Sequence, residues 1–267
     1  MVQKRINKLN NKNIKKVFFY FDGKKLSGLK GESLASALIA NNIKIVGRSF
    51  KYHRPRGIMA LGTEEPNALV RINTGNETEP NLQATQVEIY NGLISESQNR
   101  WPSLKFDFGS ILSVFSRLIP AGFYYKTFMW PKTFWKNIYE PLIRMSAGLG
   151  KSPSQPDPDI YDHKHEHCDV LVIGGGISGI ISAKIAAKNN LKTILIEDKN
   201  ILGGSTIYQN NKNFIIDNQK SNEWLMNEIS ELEKLDNLII KTRTSLAAFH
   251  SYNYLLAKEN ISDHLPL

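Results

Sequence analysis

Cysteine is almost absent from this chain of 267 residues, which has a single one, Cys168. One thiol excludes a disulfide within the chain, and it also excludes a zinc site or an iron–sulfur cluster held by several cysteines. The chain also lacks an uncharged apolar run of about 18 residues, which excludes an ordinary membrane span. The Lys- and Asn-rich start leads to no apolar core of adequate length before Asp22, so we expect no secretory signal peptide and a cytoplasmic, reducing setting.

Acidic residues are fewer than basic ones, with 25 Asp and Glu against 34 Lys and Arg, which gives a net charge of +9. A basic balance is typical of nucleic-acid binding, of membrane surfaces and of ordinary solvated lysine. Here the charge is spread along the chain, so we predict no nucleic-acid partner. Hydrophobic residues at 41% and charged residues at 22% indicate a globular protein, and its length suffices for one large or two ordinary domains.

The stretch CDVLVIGGGISGIISAKIAAKNNLKTILIE, Cys168 to Glu197, has the order of a dinucleotide-binding βαβ unit. Val170 to Ile173 predicts a buried parallel strand, a helix is expected to about Asn190, and Thr193 to Ile196 predicts a second strand. The motif G-x-G-x-x-G joins the first strand to the helix. The predicted cofactor-binding residues of this motif, which meet a pyrophosphate at the helix N-terminus, are Gly174, Gly176, Ile177, Ser178 and Gly179.

Glu197 ends the second predicted strand, close to the expected offset of about 20 residues from the motif. Its carboxylate is expected to accept hydrogen bonds from an adenosine ribose and to repel a 2′-phosphate, which favours NAD or FAD over NADP. The alternative is a Gly-rich strand-to-helix turn without a ligand. Next along the chain, Gly203, Gly204 and Ser205 either bring backbone close to the cofactor or form a simple loop, and both interpretations stay open.

The first part of the chain has the element order of a β-grasp domain. Residues 17–31 predict two strands joined by a turn at Asp22-Gly23. A helix follows with Leu34, Ala35, Leu38 and Ile39 on one face, then a short strand at Ile43 to Val46. Gln86 to Tyr90 and Leu93 to Ser97 predict a second hairpin around Asn91-Gly92, which completes a small α+β domain with a mixed sheet.

Gly47 to Ile72 is predicted to be a loop rich in Arg, Gly and Pro, with Phe50, Tyr52 and His53 among its cations. One interpretation is a recognition loop in which Arg48, Lys51, Arg54 and Arg56 meet phosphate or carboxylate groups. The other is a solvated loop that packs on its own domain. The sequence leaves these two open.

The segment from Trp101 to Gly150 differs in composition from the residues before it. It is rich in Trp, Phe and Tyr, and four prolines interrupt it. Prolines at this spacing predict short helices rather than one long one. We interpret the segment as an interface or inter-domain packing surface. Lys151 to His167 is a linker by composition, and the alternating His163, His165 and His167 form one row that is poorly suited to a tetrahedral metal site, so no metal is predicted.

Beyond the βαβ unit, an amphipathic helix is expected over Asn222 to Leu235, with Ser221 as its cap and Trp224, Leu225, Ile229 and Leu232 facing inward. Leu238 to Lys241 predicts the next parallel strand. After Thr244 to His250 a polar tail is expected, so the nucleotide-binding sheet has fewer strands than is usual and looks cut short.

Long runs of the sequence resemble the alpha subunit of heterotetrameric sarcosine oxidase. They are GRSFKYHRPRG at Gly47 to Gly57, EEPNALV at Glu64 to Val70, PAGFYYKTFMWP at Pro120 to Pro131, YEPLIR at Tyr139 to Arg144 and CDVLVIGGG at Cys168 to Gly176. The resemblance implies α/β plus α+β architecture: a β-grasp, ferredoxin-like N-terminal domain without a cluster, then a partial Rossmann-type NAD/FAD-binding domain. The expected divisions are a basic flexible tail at 1–16, the β-grasp domain at 17–99, the aromatic segment at 100–150, the linker at 151–167 and the dinucleotide-binding domain at 168–267.

In that family the complex demethylates sarcosine to glycine, with tetrahydrofolate as one-carbon acceptor and hydrogen peroxide as product. The resemblance implies NAD on this chain, FAD and FMN on or shared with a beta subunit, tetrahydrofolate on a C-terminal part that this sequence lacks, and gamma and delta subunits as further partners. No catalytic residue is carried over, and for Arg48, Lys51 and Arg54 only a place near a subunit or FMN interface is implied. The alternatives are a related amine, opine or cyanide-forming oxidoreductase subunit and a non-catalytic assembly module.

Overall fold

The computed structural model describes residues 15–118, 122, 128–158, 160–208 and 214–261. The chain divides into two compact units between Ile160 and Tyr161, which lie within the predicted linker. Most of the predicted basic tail, residues 1–14, lies outside the described residues, as does part of the 100–150 segment. Across the described ranges, none of the helices has the length and apolar character needed to cross a bilayer.

The first unit is built on a mixed five-stranded sheet in the order β2-β1-β7-β5-β6. Its strands, with a separate two-stranded ribbon of β3 and β4, are β1 Lys16–Phe21, β2 Lys24–Leu29, β3 Gly47–Arg48, β4 Pro55–Arg56, β5 Leu69–Ile72, β6 Glu79–Gln83 and β7 Ile94–Ser97. The predicted first hairpin is confirmed, with Asp22 and Gly23 both at positive φ between antiparallel β1 and β2. Two such residues in succession are what a two-residue hairpin turn requires.

Helix α1, Leu34–Ala40, covers the sheet, and the Oγ of Ser33 caps it by accepting from the amide of Ser36 at 3.2 Å. Strand β1 alternates strictly, so Phe19 and its inward neighbours pack beneath the helix. The predicted apolar face is correct for Leu34, Ala35 and Leu38, which are buried. It is wrong for Ile39, which is 45% exposed, because Ala37 faces the core in its place.

Three local predictions in this unit are wrong. Ile43 to Val46 forms no strand, and the pairing starts one residue later at β3. The predicted loop over Gly47 to Ile72 contains β3, β4 and β5. Gln86 to Tyr90 does not pair with β7, because this segment bonds to the start of α1 through Val87 and Ile89, while β7 runs parallel to β1 and antiparallel to β5.

The aromatic segment contains short helices, as its prolines predict. They are 3₁₀-helices at Phe108–Ser113 and Ser116–Leu118, a π-helical stretch at Trp135–Tyr139, and α2 at Glu140–Ala147. Its large side chains are widely exposed, Trp101 by 67% and Trp130 by 81%. The described part of this segment therefore presents an unusually apolar surface for its size.

The second unit has a three-stranded parallel sheet in the order β12-β9-β8. Its strands and helices in chain order, including two short antiparallel ribbons, are β8 Val170–Ile173, α3 Ile177–Lys188, β9 Thr193–Ile196, β10 Ile215–Ile216, β11 Gln219–Lys220, α4 Ser221–Leu232, β12 Leu238–Lys241, β13 Thr244–His250 and β14 Tyr254–Glu259. The predicted β8-α3-β9 unit and the parallel strand β12 are confirmed. Helices α3 and α4 pack together over Ile180, Leu195 and Leu232.

Some details of the second unit differ from expectation. Strand β8 is only half-buried because it lies at the edge of the described sheet, whereas central β9 is buried throughout. Ser221 is the first residue of α4 rather than its cap; Lys220 occupies the cap position and makes no side-chain capping bond. The expected polar tail forms β14, which pairs with β13 from Thr244 to Glu259.

A buried ionic cluster joins the β3–β4 ribbon to the start of the aromatic segment. Asp107 Oδ2 lies 2.7 Å from His53 Nδ1 and 3.5 Å from Arg48 Nε, and all three side chains are buried. Arg48 also donates to the carbonyls of His53 and Leu104, and Asp107 Oδ1 accepts the amides of Trp101 and Gly109. For Arg48 the structure thus supports the second of the two open interpretations, a loop that packs on its own domain.

We expect Asp107→Asn to destabilise the chain by about 3 kcal/mol, because it leaves the Arg48 guanidinium buried without its counter-charge. Urea unfolding followed by tryptophan fluorescence measures the effect. The control is Lys105→Gln, which changes one exposed charge in the same segment and should shift the free energy of unfolding by less than about 0.5 kcal/mol. Equal stability of Asp107→Asn and wild type would contradict a structural role for the cluster.

Candidate cofactor site

The glycine turn joins β8 to α3 at the carboxyl end of the parallel sheet. Gly174 has φ +97°, a conformation that side-chain-bearing residues rarely adopt. At Gly179 an added Cβ would overlap the carbonyl oxygen of Gly174, so the close approach of helix and strand requires glycine there. Both residues therefore have their predicted roles in the turn itself.

Gly176 differs from these two glycines because neither its backbone conformation nor its neighbours require a residue without a side chain. Its φ is an ordinary −74°, and a Cβ built on it would have no neighbour within 4 Å. It is the N-cap of α3, and no side chain caps this helix end. The backbone amides at the start of α3, where Ile177 and Ser178 lie, thus adjoin open space at the positive end of the helix dipole.

Glu197 follows β9 directly and is 5% exposed. Its Oε2 accepts the amide of Gly175 at 2.5 Å, and its Oε1 accepts the amide of Lys199 at 3.0 Å. The carboxylate therefore ties the end of β9 to the glycine turn. A carboxylate offers about four acceptor positions, so the two amides leave capacity for a hydroxyl donor beside the hydrogen bond with Asp198.

Burial raises the pKa of Glu197 to about 7, with a further contribution from its side-chain hydrogen bond with Asp198, while the amides of Lys199 and Gly175 act in the opposite direction. Near neutral pH the group consequently exchanges between the acid and the carboxylate. Only the carboxylate accepts at both oxygens, so a ligand that donates two hydroxyls selects the ionised form.

The Gly203-Gly204-Ser205 stretch returns to the glycine turn. The amide of Gly203 donates to the carbonyl of Gly175 at 2.7 Å, and a Cβ on Gly204 would lie 3.0 Å from the Cα of Gly176. Gly203 has φ +126° and Gly204 begins a 3₁₀-helix, in which Ser205 is exposed. Thr206 is fully buried, and its Oγ1 has no hydrogen-bond partner among the described residues.

The structure thus brings together the glycine motif, Glu197 and residues 203–205, all of which the sequence singled out. Sequence reasoning missed Gly175, whose amide holds Glu197, and Leu202, whose side chain packs where a Cβ on Gly175 would lie. The middle glycine of the GGG run was the available signal. His163, His165 and His167 are exposed, and no group of potential ligands for a metal ion is found within the described ranges.

The folded state binds the Glu197 proton more tightly than the unfolded state, in which the pKa has its ordinary value of 4.5. This difference stabilises the fold fully below pH 4.5, and the stabilisation is lost as pH rises through about 7. We expect the unfolding free energy of the ligand-free chain to fall by about 2–3 kcal/mol between about pH 5 and pH 8. Glu197→Gln should flatten this dependence, whereas the exposed Glu233→Gln should retain it. Urea melts at five pH values measure the slope. A wild-type stability that stays level over this range would contradict the role of Glu197.

Two family models match the two units. Residues 15–100 match a 2Fe-2S iron-sulfur cluster binding domain, and residues 169–250 match an FAD dependent oxidoreductase. The first match gives the fold but not the ligands, because residues 15–100 contain no cysteine and such clusters are held by cysteine thiolates. The second match agrees with the site, whose open turn at Gly176 and ionisable Glu197 suit the pyrophosphate and ribose of a dinucleotide.

Individual relatives match most of the chain. The sarcosine oxidase subunit alpha of Rhizobium meliloti (strain 1021) is 44% identical over 247 residues, which are 92% of this chain and 25% of that relative. The sarcosine oxidase subunit alpha of Corynebacterium sp. (strain P-1) is 28% identical over 91% of this chain and 20% of the relative. The chain thus spans about a quarter or less of the length of these relatives.

A crystal structure of L-proline dehydrogenase from P. horikoshii has a TM-score of 0.52, with 23% identity, and covers 92% of this chain and 37% of that one. This likeness concerns the fold, and it agrees with the predicted fold class of a ferredoxin-like unit followed by a nucleotide-binding one. Over 92% of its length, the chain is a homologue of the alpha subunits of sarcosine oxidases.

Proposed function

We propose that the second unit binds the adenosine diphosphate part of a dinucleotide cofactor and that the chain serves in an oxidoreductase that acts on a CH–NH bond. The observation that carries the proposal is the open space at Gly176, a position where the protein's own packing does not call for glycine. A pyrophosphate that lies against this backbone supplies the missing reason. The match of residues 169–250 to an FAD dependent oxidoreductase supports the same assignment.

Each residue of the site has a separate task in this proposal. The amides of Gly176, Ile177 and Ser178 bind the pyrophosphate, aided by the helix dipole of α3. Glu197 accepts the ribose hydroxyls, and residues 203–205 cover the cofactor from the other side. When bound, the dinucleotide supplies a two-electron acceptor, which none of the chain's side chains provides.

We propose both FAD and NAD as candidates, because the two share the adenosine diphosphate that this site is suited to bind. FAD is favoured by the description of the matching family, and NAD by the resemblance to the alpha subunit of heterotetrameric sarcosine oxidase. Glu197 disfavours NADP, since a 2′-phosphate would meet its carboxylate.

The substrate proposal comes from the relatives, which are named sarcosine oxidase subunits. We propose that a complex containing this chain oxidises sarcosine to glycine in the cytoplasm, with tetrahydrofolate as one-carbon acceptor and hydrogen peroxide as product. FMN, the amine-oxidising flavin and the catalytic groups are assigned to a beta-type subunit, and gamma- and delta-type subunits complete the assembly. An isolated chain should then produce no peroxide from sarcosine.

A second candidate function, assembly, is favoured by the apolar surface of residues 101–149. Its exposed side chains include Trp101, Phe106, Ile111, Val114, Trp130, Leu142 and Met145. Aromatic groups and Met are enriched where proteins meet. We propose that this surface packs against another subunit, and this role is compatible with cofactor binding in the second unit.

Gly176→Val tests the cofactor site directly. The variant should lose only about 1 kcal/mol of stability, the cost of a poorer N-cap residue, because a Cβ at this position meets no neighbour within 4 Å. It should nevertheless weaken binding more than Glu197→Ala does. For Glu197→Ala we expect a loss of about 1.5–3 kcal/mol, the value of charge-assisted hydrogen bonds. Calorimetry with FAD, NAD and ADP measures both variants, and Ile185→Val on the exposed side of α3 is the control.

Unchanged affinity in both variants would contradict this location for the cofactor. The opposite pattern is expected for Gly179→Ala, in which the new Cβ would overlap the Gly174 carbonyl and the fold itself is destabilised. A peroxide assay with sarcosine on the isolated chain tests the chemistry separately. Peroxide formation there would contradict the assignment of oxidation to a partner.

Hydrogen exchange tests the assembly surface. With the beta-type subunit co-expressed, amides in the described parts of residues 101–149 should exchange more slowly than in the chain alone. Strand β9, which is buried in the chain itself, serves as the reference and should not change. Equal exchange of residues 101–149 in both samples would contradict a subunit interface.

A further inference from the structure

The segment between β4 and β5 wraps around a single buried carboxylate. Glu65 is 1% exposed although it lies in a stretch that contains neither helix nor strand. Its Oε2 accepts the amides of Met59 and Ala60, both at 2.7 Å. Its Oε1 accepts the amides of Asn67 at 2.8 Å and Ala68 at 3.1 Å. Four amides from both arms of the loop therefore converge on one anion.

These bonds determine the charge of the group. Burial alone would raise the pKa of Glu65, but the amides of Ala60, Asn67, Met59 and Ala68 together lower the pKa below its usual value of 4.5. A carboxylate that accepts several amides is stabilised in its ionised form. Glu65 is thus an anion that belongs to the chain itself. Without its carboxylate, the four amides would have no acceptor in a sheet or helix.

The loop is also held by bonds that do not involve the Glu65 side chain. Gln83 Nε2 donates to the carbonyls of Thr63 and Glu65, each at 2.8 Å, and Thr85 Oγ1 donates to the carbonyl of Gly62 at 2.7 Å. The amide of Ala84 bonds to the carbonyl of Ala68 at 2.8 Å. These bonds fix residues 62–68 without the Glu65 side chain, whereas the amides of Met59 and Ala60 in the first arm are bonded to Glu65 Oε2. The second arm of this amide cage is therefore held in place whatever group lies inside it.

The match to a cluster-binding domain suggests what kind of group these amides once surrounded in related folds. Residues 15–100 match a domain described as binding a 2Fe-2S cluster, yet they contain no cysteine to hold one. A cluster with its thiolates is an anionic group whose sulfurs accept hydrogen bonds. The first unit has the fold of a cluster carrier, and within it four amides point at an anion that the chain itself provides.

We propose that the Glu65 carboxylate replaces a bound anionic group as the structural centre of this loop, and that the four amides form a site for a small carboxylate. Formate or acetate should occupy this site when the Glu65 side chain is removed. This inference concerns residues outside the cofactor site, so it stands or falls independently of the proposed function.

Glu65→Ala in the full 267-residue chain is the direct test. Hydrogen exchange at Met59, Ala60, Asn67 and Ala68 should become faster on the order of 100-fold, because four amides lose a charged acceptor. Formate at high concentration should restore much of this protection in Glu65→Ala. The matched control is Glu64→Ala, which removes an adjacent exposed glutamate whose bonds to Leu61 and Gly62 are longer, at 3.3 and 3.2 Å. It should leave the four amides protected.

Unchanged protection of the four amides in Glu65→Ala would overturn the proposal, and lost protection that formate does not restore would overturn the anion site. A measurement on the unmodified chain covers the case in which Glu65→Ala does not fold. Carbon-13 NMR of labelled glutamate should show that Glu65 titrates below the usual 4.5. Titration at or above that value would overturn the inference. So would a stoichiometric 2Fe-2S spectrum after treatment of the wild-type chain with iron and sulfide.

Discussion

The hydrogen bond between the Glu197 carboxylate and the Gly175 amide is the interaction on which the candidate site depends. At 2.5 Å it joins the end of β9 to the turn after β8, two points that are 22 residues apart in the chain. The same turn accepts the amide of Gly203, so three segments meet through backbone groups. Helices α3 and α4 pack against each other and support this arrangement. Their contact includes an ion pair between Lys184 and Glu228 at 2.8 Å. One carboxylate therefore holds together the segments to which we assign the pyrophosphate and ribose contacts in the proposed function.

Two buried glutamates organise the two units, and their surroundings give them opposite properties. Glu65 receives four amides, which outweigh the cost of burial and keep it ionised. Burial raises the pKa of Glu197 to about 7, because only two amides oppose it and the hydrogen bond with Asp198 raises the pKa further. The count of donors around a buried carboxylate decides which effect is larger. The first arrangement suits a permanent structural anion, and the second suits a group that responds to a hydroxyl-bearing ligand.

Local patterns could be read from the sequence wherever short-range chemistry decides the structure. The Asp22-Gly23 turn, α3 and the strands β9 and β12 depend on neighbouring residues and on apolar periodicity, and they are confirmed. Non-local pairing could not be read in this way. Nothing near Gln86 indicates that this segment bonds to the start of α1 while β7 inserts between β1 and β5, or that Arg48 is buried against Asp107. The Glu65 cage was missed for the same reason, since its amides come from both arms of a loop without periodicity.

The measurement that tests this account most directly is an NMR titration of the isotope-labelled chain with ADP, the part that FAD and NAD share. We predict that the largest amide shifts fall on Gly176, Ile177 and Ser178, with a carboxyl shift at Glu197 that reports its ionisation on binding. Saturating shifts confined to other residues, or no saturation at millimolar ADP, would contradict a dinucleotide site at the glycine turn.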